Sequence, residues 1–340
     1  MLPWGYPRET ADEKAKISAV RSPAITLPEP GVFDSHTHLD MIIEKAGTSV
    51  DELLDVARSA GIRRVVNVGC DLPSSRWSVA TAGEYSEVYA AVAMHPNELP
   101  GPERGPRRGS REDPPYLSYA PDSPEAAGVL AEIESLAASP RVVAVGETGL
   151  DYYWGDTAPE LQRDWFRAHI EIARRLDKPV MIHDRDAHED VLATLEEYAP
   201  WPPYAVIFHC FSGDGKMAAR CAESGYVMSF AGNVTFKNAG SLREAALAAP
   251  ADLMLAETDA PFLTPVPHRG KTNHPAMTAC TIAFLAELKG RDLADFCTQL
   301  QSTGQKVFGW LRVQDVSRPF GENGVTRGVK HPGSGMSHAT

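Results

Sequence analysis

Eight short apolar runs alternate with longer amphipathic stretches along this 340-residue chain. The runs are the predicted strands: VF at 32, RRVVNVG at 63, VYAAVAM at 88, VVAVG at 142, PVMIH at 179, AVIFH at 205, YVMSF at 226 and DLMLAE at 252. The predicted helices between them include 50–59, 125–138, 159–176, 188–198, 216–223 and 240–249. Alternating strands and helices predict a parallel sheet with right-handed crossovers. Eight such units in about 280 residues favour a (β/α)8 barrel of the TIM type. A doubly wound open sheet is the alternative, but no GxGxxG follows the first strand.

Both ends of the chain and one internal segment depart from this rhythm. Residues 1–30 contain five prolines, and residues 312–340 are polar and glycine-rich. We therefore predict an extended amino-terminal arm and a flexible carboxyl-terminal tail around a barrel at 31–311. An insertion at 98–125 is longer than most loops of compact domains, and we predict a solvated flexible loop, with contact to phosphate as the alternative. It contains the densest basic cluster of the chain: Arg104, Arg107, Arg108 and Arg111.

The composition limits the partners and the cellular location. Forty-five acidic and 33 basic residues give a net charge of -12, which repels polyanions unless cations or local arginines reverse the potential. The five cysteines are widely spaced and form no CxxC pair, which favours reduced thiols and a cytoplasmic location. Since the chain has no run of about 18 apolar residues and no basic-then-apolar amino terminus, we expect neither a membrane span nor a secretory signal.

Polar residues follow most of the predicted strands, at the point where parallel α/β barrels carry their catalytic groups. They are His36 and His38 after strand one, His95 after strand three, Glu147 after strand four, His183 after strand five, His209 after strand six, and Glu257 and Asp259 after strand eight. A single histidine in such a place is more often a core or turn residue. Several imidazoles and carboxylates gathered at one end of a barrel are costly, however, unless a cation organises them.

The spacing of His36 and His38 predicts a metal clamp, because residues i and i+2 of a strand point to the same side. With these two, the set offers six ligands: His36, His38, Glu147, His183, His209 and Asp259. Six are too many for one four-coordinate ion that keeps a site open for water. Two cations about 3.5–4 Å apart, bridged by a carboxylate, would use them all and would suit the cleavage of phosphate esters. We predict Glu147 as the bridge and Asp259 as both a ligand and the acceptor of the proton from the attacking water.

The chain resembles the TatD-type metal-dependent deoxyribonucleases, a branch of the amidohydrolase-like barrels, over about residues 31–311. Seven motifs carry the resemblance, in this order: DSHTHLD, MHP, GETGLDYYW, PVMIHDRDA, FHCFSG, ETDAPFL and RGKTNHPA. The resemblance implies one cation among His36, His38, Glu147 and Asp259, and a second among Glu147, His183 and His209.

The resemblance also implies a cofactor and a substrate. The expected cofactor is two divalent cations per subunit, magnesium or manganese, with zinc as an alternative. The expected substrate is single-stranded DNA or frayed DNA ends, degraded as by a 3′–5′ exonuclease, without a membrane or an obligate protein partner. His95 and Arg185 would then contact the substrate phosphate. A guanidinium fork matches phosphate well, although Arg185 could instead pair with a neighbouring aspartate, and His95 could instead cap a turn fixed by Pro96.

Other interpretations stay open at this point. A zinc amidohydrolase or lactonase could use the same scaffold, but a glutamate at the end of strand four, where many amidohydrolases carry a carbamylated lysine, favours the nuclease-like branch. A closed metal-binding scaffold is the non-enzymatic alternative. Tyr152, Tyr153 and Trp154 could stack on bases or pack their loop. Cys210 is interpreted as a buried, inert thiol rather than a nucleophile.

Overall fold

Eight parallel strands form a single sheet whose order follows the chain. The computed structural model describes residue 23 and residues 25–99, 120–154 and 157–310. The strands are β1 Val32–Thr37, β2 Ile62–Gly69, β3 Val88–Val92, β4 Val142–Asp151, β5 Val180–Arg185, β6 Val206–Phe208, β7 Val227–Phe230 and β8 Met254–Ala256. All eight predicted strands and the predicted barrel fold are thereby confirmed. The largest difference is β4, which continues past the predicted VVAVG run to Asp151.

The barrel closes where the first and last strands meet. Thr37 and Ala260 form a parallel bridge, the backbone N–H of His38 donates to the Ala260 carbonyl (2.9 Å), and the N–H of Asp259 donates to the His36 carbonyl (3.0 Å). We call this contact the β1–β8 seam. It lies at the carboxyl ends of the strands, so the closing hydrogen bonds come from residues predicted to bind metal.

Helices cover the outside of the barrel. They are α1 Leu39–Ala46, α2 Val50–Ser59, α3 Leu72–Glu84, α4 Pro124–Ala137, α5 Pro159–Arg175, α6 His188–Glu196, α7 Gly215–Glu223, α8 Gly240–Ala248, α9 Thr278–Leu288 and α10 Leu293–Phe308. Their starts follow local rules: Ser49 and Glu52 form a capping box on α2, and proline occupies the first turn of α4 and α5. Within the described residues, none of these helices is both long and apolar enough to cross a bilayer.

The segments outside the barrel are described only in part. Residues 1–22 and 24 of the predicted arm, 100–119 of the predicted insertion with its four arginines, and the whole tail at 312–340 lie outside the described residues. The described end of the arm packs on the barrel, since Leu27 is buried and its N–H donates to the Ala60 carbonyl (2.9 Å). The described end of the insertion leads into α4, where the Ser123 hydroxyl accepts from the Ala126 N–H.

Aromatic side chains fill the barrel at the amino ends of its strands. Phe33 lies near the start of β1, and its ring centroid is 5.4 Å from that of Trp310 and 6.2 Å from that of Phe308. Trp310 in turn contacts Tyr89 of β3 at 4.6 Å. We call these four buried residues the aromatic plug. Gly304 of α10 passes so close to it that an added Cβ would lie 2.3 Å from the Phe33 ring.

Basic side chains cap helix ends, and one of them, Arg141, contacts the plug. Lys178 donates from Nζ to the carbonyls of Ser139 (2.9 Å) and Val142 (2.6 Å), and also to that of Ala137 at the end of α4. Lys289 does the same for the end of α8, and Arg141 does so for the end of α3 while lying 4.1 Å over the Tyr89 ring. These contacts satisfy carbonyls that a helix leaves without partners at its last turn.

Candidate metal centre

A cavity of about 390 Å3 opens at the carboxyl ends of the strands. Its wall includes seven of the eight residues predicted to bind metal or substrate: His38, His95, Glu147, His183, Arg185, His209 and Asp259. The eighth, His36, is fully buried beneath them and contacts Glu147 and Asp259. The structure therefore brings together all the predicted side chains, in a volume typical of a small-molecule site.

Glu147 stands between two groups of donor atoms, and its Oε1 faces the first. The Nε2 atoms of His36 and His38 lie 3.6 and 3.5 Å from Oε1, and 3.8 and 3.5 Å from Oδ1 of Asp259. The two Nε2 atoms are 3.3 Å apart. A tetrahedral ion with ligands at about 2.0–2.2 Å requires donor separations of about 3.3–3.6 Å. The first set fits a cation by this measure.

The second oxygen of Glu147 faces a different pair of histidines. Oε2 lies 2.7 Å from Nε2 of His209 and 3.2 Å from Nδ1 of His183, and these two nitrogens are 3.4 Å apart. The second set is therefore equally compact and shares only Glu147 with the first. One carboxylate that offers one oxygen to each set has the geometry expected of a bridge between two cations.

The ligand nitrogens of these histidines are identified by what the other ring nitrogen contacts. In each ring one nitrogen faces Glu147 and the other faces an electron-rich protein atom. These outer contacts join His38 Nδ1 to the Val68 carbonyl (3.0 Å), His183 Nε2 to Asp151 Oδ2 (3.0 Å), His209 Nδ1 to Glu257 Oε1 (3.4 Å) and His36 Nδ1 to Met181 Sδ (3.2 Å). Acceptors at the outer nitrogen keep the proton there and leave the inner nitrogen free to bind a cation, as in known metal sites.

His95 differs from the other four histidines. Its Nδ1 accepts a hydrogen bond from the backbone N–H of Asn97 (3.0 Å), and its Nε2 lies 3.7 Å from Glu147 Oε2. Burial, reinforced by the nearby charge of His183, lowers the pKa of His95 well below its usual value, so the ring is neutral. A neutral ring that accepts at Nδ1 carries its proton on Nε2. The nitrogen that faces the cavity is then a hydrogen-bond donor, which suits contact with a phosphate oxygen better than metal binding.

The electrostatics of the two sets attract positive charge. Burial alone would raise the pKa of Glu147, but the charge of His209 and hydrogen bonds from His183 and His209 hold that pKa well below its usual value. Burial would likewise lower the pKa of His38, yet Asp259 and Glu147 raise it to about 9. Protons thus collect on imidazoles beside an ionised carboxylate. Cations that bind the same atoms must displace these protons.

The backbone is strained around the cavity. Four of its lining residues other than glycine have left-handed backbone angles, with φ of 56°, 43°, 51° and 54°: Asp186, Cys210, Asp259 and Leu263. Such conformations are unfavourable for residues with a Cβ and concentrate at functional sites. Cys210 is also held by its N–H, which donates to Glu257 Oε1 (2.7 Å), and burial raises the pKa of its thiol well above the usual value. Cys210 is partly exposed rather than buried as predicted from sequence, but its thiol is not a poised nucleophile.

Arg185 stands at the mouth of the cavity without a carboxylate partner. Among the described residues it forms no ion pair within 4.0 Å, although Asp184 and Asp186 adjoin it. Its guanidinium instead lies 4.2 Å over the ring of Tyr153. Arg185 therefore does not form the salt bridge to a neighbouring aspartate that the sequence left open as an alternative.

Sequence reasoning missed two residues that contact the predicted ligands, Asp151 and Cys70, and placed a third, Glu257, at the end of strand eight without assigning it a role. Asp151 is buried and meets His183, Glu257 meets His209, and the Cys70 thiol donates to Glu147 Oε1 (3.3 Å). Asp151 could have been found, because residues 147 and 151 share one face of a continuous strand. Cys70 carried no comparable signal, since only the fold brings the end of β2 against Glu147.

Comparisons with known proteins agree with the fold and with the family resemblance. A family model described as TatD related DNase matches residues 33–309. The chain is 40% identical over 288 residues to a protein of Mycobacterium tuberculosis named as an uncharacterized metal-dependent hydrolase, TatD, and the match covers 83% of this chain and 100% of the relative. It is 34% identical over 277 residues to the similarly named YabD of Bacillus subtilis, with coverage of 82% and 98%.

A solved structure shares the architecture. The crystal structure of YJJV, a TatD homologue from Escherichia coli, superposes with a TM-score of 0.69 at 26% identity, covering 82% of this chain and 98% of the other. The family match extends from β1 to the end of α10, and thus spans every element that contributes to the two donor sets. The chain therefore belongs to the TatD related DNase family of metal-dependent hydrolases.

Proposed function

We propose that this protein hydrolyses phosphodiester bonds in DNA, with single-stranded or frayed ends as substrate, at a centre that holds two divalent cations. The observation that supports this most directly is the position of Glu147, whose Oε1 faces His36 and His38 while its Oε2 faces His183 and His209. Two cations so placed would supply Lewis acidity, which polarises phosphoryl oxygens and makes water acidic enough to act near neutral pH.

The donor atoms bear on the kind of metal. Four imidazole nitrogens and two carboxylates are a borderline-soft set, which suits zinc better than magnesium, because magnesium prefers oxygen ligands and retains water. The donor separations of 3.3–3.8 Å in the first set are also wider than the cis separations of about 2.9 Å that ligands at about 2.1 Å around an octahedral ion require. We therefore expect activity with zinc to exceed activity with magnesium.

Three side chains of the protein are assigned to phosphate binding and proton transfer. Arg185 offers at the mouth a positive charge that forms no ion pair with a carboxylate of the described residues, and His95 offers an Nε2–H donor within, so both would bind phosphate oxygens and offset their charge. Asp259 has a side chain 17% exposed, against 4% for Glu147. Asp259 is therefore the carboxylate that solvent reaches, and we assign it as acceptor of the proton from the attacking water.

The substrate class follows from charge as well as from the site. A chain with a net charge of -12 does not attract polyanions at long range, so binding must depend on bound cations and Arg185. The family name supports DNA as the polymer. Removal of nucleotides from the 3′ end stays a prediction from the resemblance, as does a cytoplasmic location, which suits the five free cysteines.

The test is hydrolysis of an end-labelled single-stranded oligonucleotide by metal-stripped protein resupplied separately with magnesium, manganese or zinc. We expect cation-dependent shortening from one end, and labelling either end identifies the polarity. A panel of lactones and small carboxylic esters is assayed in parallel. Intact DNA together with zinc-dependent turnover of a lactone or ester would overturn the proposal in favour of a small-molecule amidohydrolase or lactonase.

A further inference from the structure

Tyr153 is unusually placed for an aromatic residue of this protein. Three large apolar side chains are exposed among the described residues, and Tyr153, at 54% exposure, is the only aromatic one. It lies two residues beyond the end of β4, beside the mouth of the cavity, where Trp154 and Arg185 line the wall. An exposed ring in this position, unlike one on a remote helix, is available to a substrate.

The ring is held in a defined arrangement. The guanidinium of Arg185 lies 4.2 Å from its centroid, and the Trp154 ring meets it edge-on at 4.9 Å and 90°. Below the ring, Oδ1 of the buried Asp151 accepts from the backbone N–H groups of Tyr153 (3.0 Å) and Trp154 (3.2 Å). The other oxygen of Asp151 contacts His183 Nε2 (3.0 Å). One rigid carboxylate therefore connects the position of Tyr153 to a candidate metal ligand.

We infer that Tyr153, Trp154 and Arg185 form a stacking platform for the nucleobase next to the phosphate that is cleaved. This inference rests on the proposed function, which places a phosphate between Arg185 and the two donor sets. The N–H groups of Arg185 lie at the edge of its planar guanidinium, whereas the flat face lies on Tyr153. Arg185 can therefore donate hydrogen bonds to that phosphate while it stays stacked on the ring. The attached base then falls within reach of the exposed aromatic surface.

The chemistry of the platform selects a single strand without reading its sequence. Every base has a π-face, so a tyrosine ring binds all four, and stacking contributes about 1–3 kcal/mol per base. A base inside a duplex already stacks on its neighbours and must be unstacked before it can use the platform. Unpaired or frayed ends are therefore the substrates that profit from Tyr153, whereas a small diester without a base gains nothing.

The test compares variants and substrates in parallel. Tyr153→Ala removes the ring and Tyr153→Phe keeps it, while Leu247→Ala removes a side chain of the same 54% exposure on α8 that does not line the cavity. The substrates are a single-stranded oligonucleotide, the same oligonucleotide with an abasic site at each of its terminal positions in turn, and methyl p-nitrophenyl phosphate. The readout is kcat/KM for each pair of enzyme and substrate.

For Tyr153→Ala we expect the ratio of kcat/KM on DNA to kcat/KM on methyl p-nitrophenyl phosphate to fall about five- to a hundredfold, which is the stacking range expressed as a rate factor. For wild type and Tyr153→Phe, an abasic site at one of the terminal positions should lower kcat/KM relative to the intact oligonucleotide. For Tyr153→Ala, it should leave kcat/KM unchanged. Leu247→Ala should match wild type.

Three results would overturn the inference: an unchanged ratio, discrimination against the abasic site that survives in Tyr153→Ala, or wild-type cleavage of the small diester without cleavage of DNA. The last result leaves diester hydrolysis standing. Cleavage of neither substrate with any cation would reject the proposed function itself, and the platform with it.

Discussion

At the carboxyl ends of the strands, the predicted metal ligands, four imidazoles and two carboxylates, lie around a cavity. At the amino ends, four aromatic rings pack together and basic side chains bind the carbonyls at helix ends. Both regions belong to the same eight strands. The carboxyl end gathers groups that repel or strain one another, including four left-handed residues that are not glycine. The amino end gathers groups that satisfy one another.

The difference indicates that the amino end contributes mainly to stability and the carboxyl end mainly to activity. Functional sites that hold like charges and strained backbone are commonly less stable than they could be, and the rest of the fold compensates. We therefore expect substitutions at the carboxyl end to change activity with little loss of stability, and substitutions at the amino end to do the reverse. The following predictions test this separation, from the largest expected effect to the smallest.

Glu147→Gln should have the largest effect on activity. The variant keeps the size of the side chain but loses the charge shared by both donor sets, so kcat on methyl p-nitrophenyl phosphate should fall on the order of 10^3-fold or more. Thermal unfolding of the metal-free variant verifies that the variant is folded. Glu134→Gln, which breaks a surface ion pair with Arg175, is the control. Retention of full activity in Glu147→Gln would reject the bridged centre.

Phe33→Ala should have the largest effect on stability. The ring is 1% exposed and contacts Trp310 and Phe308, so its removal opens a cavity in the aromatic plug and should lower the free energy of unfolding by about 3–5 kcal/mol. Urea denaturation measures the loss, and kcat of the folded variant should stay at the wild-type value. The exposed Leu247→Ala should change stability by less than about 0.5 kcal/mol. A fall in kcat without a fall in stability would break the comparison between the two ends.

Asp151→Asn should weaken metal binding. The carboxylate fixes the proton and the orientation of the His183 ring, and loss of such a partner typically weakens metal affinity about 10- to 100-fold. Isothermal titration of metal-stripped protein with zinc or manganese measures the change. Asp190→Asn is the matched control, because that carboxylate contacts Tyr152 and Arg163 and does not line the cavity. Equal affinity in wild type and Asp151→Asn would show that His183 is oriented without it.

His169→Gln should make stability less sensitive to acid. His169 lies on α5 below the His95 segment, where its Nε2 accepts from the Met94 N–H (3.1 Å) and its Nδ1–H donates to the Trp165 carbonyl (2.7 Å). Burial lowers the pKa of His169 to about 4. Since this pKa lies below the unfolded value of about 6.5, the unfolded chain takes up a proton that the folded chain refuses, and stability is lost as pH falls from about 6.5 toward 4.

The measurement is urea denaturation at pH 7.5 and pH 5.0, with both proteins equally metal-loaded. Wild type should lose about 2 kcal/mol more than His169→Gln over this interval. Equal losses would show that His169 is not the group that titrates. The prediction sharpens the comparison, because it places an acid-sensitive support directly beneath the carboxyl end.

The carboxyl end was largely predictable from sequence, because its signal is local. Apolar runs mark the strands, and a histidine or acid directly after a run marks the edge where all the strands end, so His36, Glu147 and Asp259 could be placed together without knowledge of the packing. The miss at Asp151 has a physical cause: β4 is ten residues long and fully buried, and its polar second half does not resemble a strand.

The amino end was not predictable in the same way. Phe33 and Tyr89 look like ordinary apolar residues of strands, and Trp310 stands beyond the last helix. Lys178 and Arg141 precede strands and resemble solvated loop residues, while the helix carbonyls they bind, those of Ala137 and Ala82, lie 41 and 59 positions away. Such contacts depend on how the helices lie on the barrel, which no local pattern specifies.

The β1–β8 seam has a consequence for the order of events during synthesis of the chain. The first donor set takes His36 and His38 from the beginning of the barrel and Asp259 from its end, so a growing chain carries both histidines for more than two hundred residues before Asp259 is added. The same residues form the hydrogen bonds that close the barrel. A cation bound to His36, His38 and Asp259 would link the first strand to the last. It could bind all three only after the final strand has joined the sheet.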